Sequence, residues 1–440
     1  MVEHEEPIYT FVPPDNGAGP LWDLGSTNLV RLGDRVFASG VETLPGVPPY
    51  NNSLCHLWQR DARGWSLAHP NVSGRTREPC PLVALPSQNQ ILLSANPTLN
   101  RDDQPGGGPA EPMLWSFSAS DTQRQPAPLK PRWKGGAHTP DFDQHSYRSF
   151  ASDAASSEVI LFHNVGDTRA EWTFRGSDGT WPSQGQLVWP WGASYEHPKP
   201  IRICYPNVAL THRKVHFVGV SDVLEPQEQW RTFKRGLTGK EWDYDFRRLF
   251  YTWSDDILDG QFHPWIELAS RESTAGRIMP GDLWPAPDGT VHIVWQEEAL
   301  DPRLRSTFFP LAVQRVELNY LVLRDGRVLL RTTLVAWDET QPGPIPRLPR
   351  FHVTPDHRLF VFFYVTTADA ETPHLSENRL LEILPNGSVS PATAVRLAHP
   401  LSTYMTATSR AGTMPSWTLD LLGTSPESPN VVRYAKIGIR

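Results

Sequence analysis

The chain has little of what builds a disulfide scaffold, a membrane span or a nucleic-acid footprint. Its 440 residues include three cysteines, Cys55, Cys80 and Cys204. They are too few and too scattered for a disulfide framework or a paired-cysteine zinc site, and they read as small buried residues. No apolar run approaches the roughly 20 residues that span a bilayer, so no membrane partner is expected. The 41 Lys and Arg are outnumbered by 48 Asp and Glu, for a net charge of −7. Because the basic residues are dispersed rather than gathered into a stripe, no nucleic-acid partner is expected either. The opening MVEHEEPIYTF shows neither a basic n-region nor an apolar h-region. That leaves the compartment open: cytoplasmic as the chain stands, secreted or periplasmic if a leader was trimmed. No amphipathic helical pattern longer than two turns is evident.

What the chain does have is 43 Pro, 31 Gly and 17 Trp. Frequent breakers argue against long helices, and abundant Trp often lines sugar-binding surfaces. Period-2 segments of four to eight residues, bounded by Gly, Pro, Asn and Asp, recur from end to end. They come as two successive hairpins per unit. TNLVRLGDRVFASG is followed by LCHLWQRDARGWSLA, and CYPNVALTHRKVHFVGV by LFYTWSDDILDGQFHPWIEL. Six such units of four strands, most of them roughly 50 to 75 residues apart, are the pattern of propeller blades. The remainder supplies three strands, and the N-terminal PIYTFVP is expected to add the fourth and close the ring. The predicted fold is therefore all-β: one seven-bladed β-propeller of four-stranded antiparallel blades. The blades are 27–75, 76–135, 136–192, 193–270, 271–340, 341–398, and 399–440 with 7–13. Two stacked β-sandwiches are the alternative. A ring closed on itself implies a monomer.

Two of the second hairpins carry GSDGTWPS (176–183) and SDDILDGQFHPW (254–265). These resemble worn aspartate-box turns, in which an Asp ties the turn backbone and a Trp packs between sheets. One is shortened and the other carries two extra residues. The whole chain thus resembles the BNR-repeat, sialidase-like propellers, and within them the branch of ulvan lyases and related uronate-cleaving enzymes. In that branch a His-Asn-(Thr/Ser)-Pro, strand, turn, strand, His-Asn motif sets two histidines in one blade, and the next blade opens with Tyr-Pro. Here His145-Ser146-Tyr147-Arg148 leads to His163-Asn164, eighteen residues on, and Tyr205-Pro206 follows. The resemblance implies that His145, His163 and Tyr205 are catalytic and that no cofactor is required. This sequence departs from the motif twice. Ser-Tyr-Arg replaces Asn-Ser-Pro, and no arginine stands near Ser221 and Asp222, where the family would hold the substrate carboxylate. Arg148, Arg202 or Arg231 would have to serve instead.

The activity implied is that of a carbohydrate-active enzyme on an anionic, uronate-containing polysaccharide, most simply a lyase working by β-elimination. Such a lyase must neutralise a carboxylate, remove the proton beside it and protonate the leaving oxygen. His and Tyr suit the last two tasks. Repeat register turns the first residues of the innermost strands toward one funnel: His145, Tyr147, Arg148, Tyr205, Asp282, Trp284 and Arg350. Ends of the second strands add His163, Asn164 and Asp222. Tyr147, Arg148, Asn164, Arg202, Trp284 and Arg350 are the expected substrate contacts. Before proline, Tyr205 is expected to be extended. A glycoside hydrolase of the same branch and a glycan-binding propeller without turnover are the alternatives. The arginine triad of true sialidases cannot be assembled. A metal ion on the histidine pair would need a third ligand such as His138, His197 or Asp141.

Overall fold

The computed structural model describes residues 1–440 except 23–24, 102–103, 105, 135–141, 144–146, 342 and 368–374. Seven antiparallel sheets follow one another around a ring, each running from an innermost to an outermost strand. Blade 1 is Leu29–Leu32, Arg35–Thr43, Ser53–Asp61 and Gly64–His69. Blade 2 is Leu82–Leu85, Gln90–Ala95, Met113–Ser118 and Ala127–Leu129. Blade 3 is Arg148–Asp153, Glu158–Val165, Arg169–Arg175 and Ser183–Val188. Blade 4 is Ile203–Thr211, Lys214–Ser221, Arg248–Ser254 and Ile266–Ser270. Blade 5 is Arg277–Pro285, Val291–Glu298, Arg315–Arg324 and Arg327–Asp338. Blade 6 is Pro344–Val353, Leu359–Thr367, Ser376–Ile383 and Thr393–Val395. Blade 7 takes Thr403–Thr406, Thr418–Ser425 and Ser428–Gly438 from one end of the chain and Val2–Thr10 from the other. The closing strand is the expected N-terminal one.

Alternation builds the core. The central strands of each blade are buried on both faces, as Glu158–Val165 and Lys214–Ser221 are along nearly their whole length, so apolar residues fill the wedges between neighbouring sheets. The two worn aspartate boxes behave as their residues dictate. Asp178 Oδ1 accepts from the Thr180 amide and hydroxyl at 2.9 and 2.8 Å, and Asp256 Oδ1 accepts from the Leu258 amide at 2.9 Å. Trp181 and Trp265 pack against the interblade cores.

One expectation fails. The connection between the second and third strands of blade 4 contains a three-turn helix, α1 (Glu228–Thr238). Its Trp230 and Phe233 pack edge-on against Phe308 of a second helix, α2 (Pro302–Phe308). Its Lys234 is buried between Glu225, 2.6 Å away, and Asp243, 2.8 Å away. A charged residue in the buried stripe hides the apolar period, which is why no helix is legible there.

The middle of the ring is plugged from within. The connection after Thr403–Thr406 enters the channel, where Arg410 and Ala411 bond the backbones of Ser152 in blade 3 and Ala84 in blade 2. Gly412, at φ +77°, is required there, because a Cβ would lie 2.0 Å from the Ala84 carbonyl oxygen. The Arg410 guanidinium is 2.8 Å from Asp282 Oδ1, 2.9 Å from Asn207 Oδ1 and 3.1 Å from the Gly25 carbonyl. Asp282 in turn accepts from the amides of Leu283 and Phe351. Asn207, Asp282 and Arg350 each follow a bulge in an innermost strand, at Tyr205-Pro206, Gly281 and Leu348-Pro349. The recurring bulge turns a polar residue inward at the same level in three consecutive blades.

Two predictions follow from the buried polar groups. Breaking a buried pair strands a charge, so Arg410→Ala or Asp282→Ala should each cost about 3–5 kcal/mol in urea unfolding, and the double variant less than their sum. Burial lowers the imidazoles of His216 to about 3 and of His292 and His352 to about 4. The unfolded chain would protonate them near the ordinary value of about 6.5. Their contribution is therefore complete above that pH and is lost as the pH falls toward 4. The urea midpoint should drop steadily over that interval, and His216→Gln should flatten the slope.

Candidate functional site

The site lies at the mouth of the ring formed by the starts of innermost strands and the ends of second strands, on blades 2 to 5. His145 lies outside the described residues, as do His138 and Asp141. Arg148 opens the innermost strand of blade 3 and pairs in register with His163 on the second. His163 is fully buried, with the Phe142 ring edge-on at 4.7 Å. Its Nδ1 faces the Asn164 carbonyl at 2.9 Å, and its Nε2 lies 2.7 Å from the Asn96 side chain. Assigned from its hydrogen-bonding partners, the Asn96 amide turns its oxygen toward both His163 Nε2 and Arg148 Nη1, the latter at 2.6 Å. Both ring nitrogens then face oxygens. Arg148, 2% exposed, also donates to the Pro79 carbonyl at 2.7 Å. Asn164 donates to the Ile203 carbonyl at 2.8 Å. These three side chains clamp blade 3 to blades 2 and 4 beneath the surface.

Tyr205 is placed differently. It sits in the bulge of blade 4 at φ +48°, not extended as its position before proline predicts. Leu348 before Pro349 repeats the conformation at φ +54°, so the bulge geometry overrides the X-Pro preference. Such backbone is strained for a residue with a Cβ, and strain of this kind concentrates at functional positions. The ring is boxed by Phe246, stacked at 5.9 Å, and by Tyr147 and Trp22, edge-on at 5.8 and 6.2 Å. Its hydroxyl makes no hydrogen bond among the described residues. Burial raises the phenol above its ordinary value, with Asp222 and Glu78 adding to the rise and Arg277 opposing it. Tyr205 therefore keeps its proton at neutral pH.

Two arginines flank this ring. Arg202 Nη2 is 2.8 Å from Asp222 Oδ2, and its guanidinium lies over the Tyr147 and Tyr244 rings at 5.1 and 5.3 Å. Burial lifts the Asp222 carboxyl above the usual range, against the pull of Arg202. Arg277, the first residue of blade 5, was not singled out by the sequence. It is exposed, lies over Phe246 at 5.8 Å, and has neither an ion pair nor a side-chain hydrogen bond among the described residues. It borders a cleft of about 310 Å³ also walled by Tyr244, Phe246 and Glu298. No motif surrounds it. Only the position of a strand start beside the Tyr-Pro step of the preceding blade could have marked it.

The remaining expected contacts lie elsewhere. The innermost strand of blade 5 begins at Arg277, so Trp284 falls near its far end, against His292 at 4.9 Å. Arg350 is inside the channel, bonded to the Gly281 carbonyl and 3.9 Å from Met405 Sδ. Both displacements arise because the inner strands start earlier than the hairpin pattern implies and then bulge. Arg231, on α1, makes no side-chain hydrogen bond or ion pair among the described residues. Of the described His, Cys, Asp and Glu side chains, no group of three converges as metal ligands do.

No protein-family model matches the chain, and none of the curated proteins compared by sequence matches it. Among solved structures, the polysaccharide lyase Uly1 is similar in fold, with a TM-score of 0.55, 11% identity and all of both chains covered. A protein of unknown function from Dyadobacter fermentans gives a TM-score of 0.47 at 11% identity, covering 100% of this chain and 99% of that one. A Penicillium chrysogenum alpha-L-arabinanase gives 0.37 at 10% identity, covering 79% and 90%.

Because the Tyr205 hydroxyl has no partner in the described fold, Tyr205→Phe should leave the urea midpoint within about 0.5 kcal/mol of wild type. Tyr205→Ala, which empties the aromatic box, should cost about 3 kcal/mol in the same measurement.

Proposed function

We propose that the protein is a carbohydrate-active enzyme that cleaves a uronate-containing polysaccharide by β-elimination. The observation that carries this reading is Tyr205: a strained, boxed phenol with an unbonded hydroxyl, beside an exposed arginine. In the proposed reaction Arg277 holds the uronate carboxylate and makes the adjacent C5 proton acidic. His145, two residues before Tyr147, takes that proton. The C4–O4 bond breaks as the C4=C5 double bond forms, and Tyr205 gives its proton to the departing O4. His163, Arg148 and Asn96 act as positioning residues below them. No step calls on a metal or an organic cofactor.

The test is absorbance at about 235 nm, where the C4=C5 bond conjugated to the carboxylate absorbs, with ulvan, polyglucuronate and glycosaminoglycans as substrates. Wild type should produce the chromophore. Tyr205→Phe should lose about 10²- to 10³-fold in kcat, and Arg277→Gln should raise KM about tenfold, with Arg277→Lys recovering part of it. Since the Tyr205 phenol is raised, kcat/KM should show no falling limb before about pH 10. New reducing ends without the chromophore would replace this reading with hydrolysis. Neither signal, with the polymers still bound, would leave a binding propeller.

A further inference from the structure

The connection between the second and third strands of blade 1 ends in two consecutive non-glycine residues of left-handed backbone, Tyr50 at φ +64° and Asn51 at φ +66°. Such a pair is costly unless its surroundings hold it. Asn51, 1% exposed, supplies the hold by donating to the carbonyls of Gly106 at 3.1 Å and Gly107 at 2.5 Å, while Arg75 donates to its own carbonyl. The Asn51 side chain is thus committed inside the fold. The outcome of this local strain is that Tyr50 is turned outward, 43% exposed.

Against its ring lies the Arg77 guanidinium, 4.7 Å from the centroid. Arg77 is steered there by the Asn16 carbonyl, which accepts from Nε and Nη2 at 3.3 and 3.1 Å. Asn16 is itself tied to Asn52 at 2.9 Å and to the Arg77 carbonyl at 3.0 Å. Arg77 Nη1 makes no hydrogen bond among the described residues. Glu78 lies 3.6 Å from Nε on the buried side, 1% exposed, so the outward edge of the guanidinium stays cationic. Tyr50 lies in the connection leaving the second strand of blade 1 and Arg77 in the segment leading into the innermost strand of blade 2. Both therefore belong to the mouth of the ring at which Tyr205, near the start of the innermost strand of blade 4, is found.

Past Tyr205 in the order of the blades, Phe246 and Arg277 repeat the combination of an aromatic ring and an outward guanidinium. An aromatic face takes a sugar ring, and a guanidinium fork takes a carboxylate or sulfate. Resting on the proposed function above, we infer that Tyr50 and Arg77 form a distal subsite for one acidic sugar of the same polymer. The chain would be gripped on both sides of Tyr205 and cut at internal bonds.

The experiment is affinity electrophoresis of the full chain through gels containing ulvan, polyglucuronate or chondroitin sulfate, with dextran as the neutral control, joined to steady-state kinetics on the polymer that is cleaved. Wild type should be retarded by at least one polyanion and not by dextran. Arg77→Gln and Tyr50→Ala should each weaken that retardation about tenfold, and Arg77→Lys less. Both variants should raise KM for the polymer at constant kcat and leave a disaccharide substrate unaffected, and the polymer's viscosity should fall early in wild-type digests. The urea midpoint of each variant, read alongside, separates misfolding from lost binding. If wild type is retarded while Arg77→Gln and Tyr50→Ala match it, the subsite is overturned and the proposed function stands. If wild type is neither retarded nor active on any polyanion, the proposed function falls and takes the subsite with it.

Discussion

A buried arginine at the hub of the ring sets the terms for everything around it. Seven twisted sheets arranged radially leave a hole lined by the edges of their innermost strands. Here the hole is filled by chain, with Arg410 against Asp282 and Asn207. A guanidinium taken out of water tolerates that place only if its donors are matched. The matching comes from blades 4 and 5 and from the segment ahead of blade 1, through Gly25. That segment is in turn bonded to blade 7, where the Thr27 hydroxyl donates to the Thr406 carbonyl at 2.7 Å. The hub is thus a contact shared by blades far apart in sequence.

The same geometry reaches the mouth of the ring. Asn207 can face Arg410 because Tyr205 and Pro206 form the bulge above it. Tyr205 is held in left-handed backbone by a distortion whose purpose, seen from the channel, is to deliver an amide oxygen two residues later. Gly25 presses on that bulge from the side, where a Cβ would meet the Pro206 carbonyl oxygen at 2.2 Å. Strain at the candidate proton donor is therefore set against a buried polar network below it, in which Arg410 meets Asp282, the Asn207 oxygen and the Gly25 carbonyl. The buried triad of Asn96, Arg148 and His163 plays the equivalent part for blade 3.

The fold was legible because each four-strand unit repeats a period-2 pattern, and a repeat survives divergence that erases any one motif. The order of the blades, the borrowed N-terminal strand and the turn-tying role of Asp178 and Asp256 could all be read in that way. What could not be read depends on register and on contacts between distant segments. Trp284 and Arg350 belong to innermost strands whose starts are extended past the hairpin pattern and then bulged, and one such shift redirects every later side chain. α1 was hidden by Lys234, a cation that occupies a buried position only because Glu225 and Asp243 come to meet it. Arg277 stands in no motif at all. Its significance comes from Phe246, thirty-one positions earlier, which bridges it to Tyr205.

The seam in blade 7 has a bearing on how the molecule comes into being. Val2–Thr10 pairs with Ser428–Gly438, and the amino group at Met1 meets the Gly438 carbonyl across 437 positions of sequence. A ribosome releases the first of these strands long before the second exists. Throughout that interval an alternating strand has no neighbour, and blade 1 has no blade 7 to shield its flank. The strand that waits is VEHEEPIYT, with three glutamates and a proline in nine residues. Charge and proline of this kind discourage pairing with the wrong partner. The residues that close the finished ring are also suited to staying apart until it can be closed.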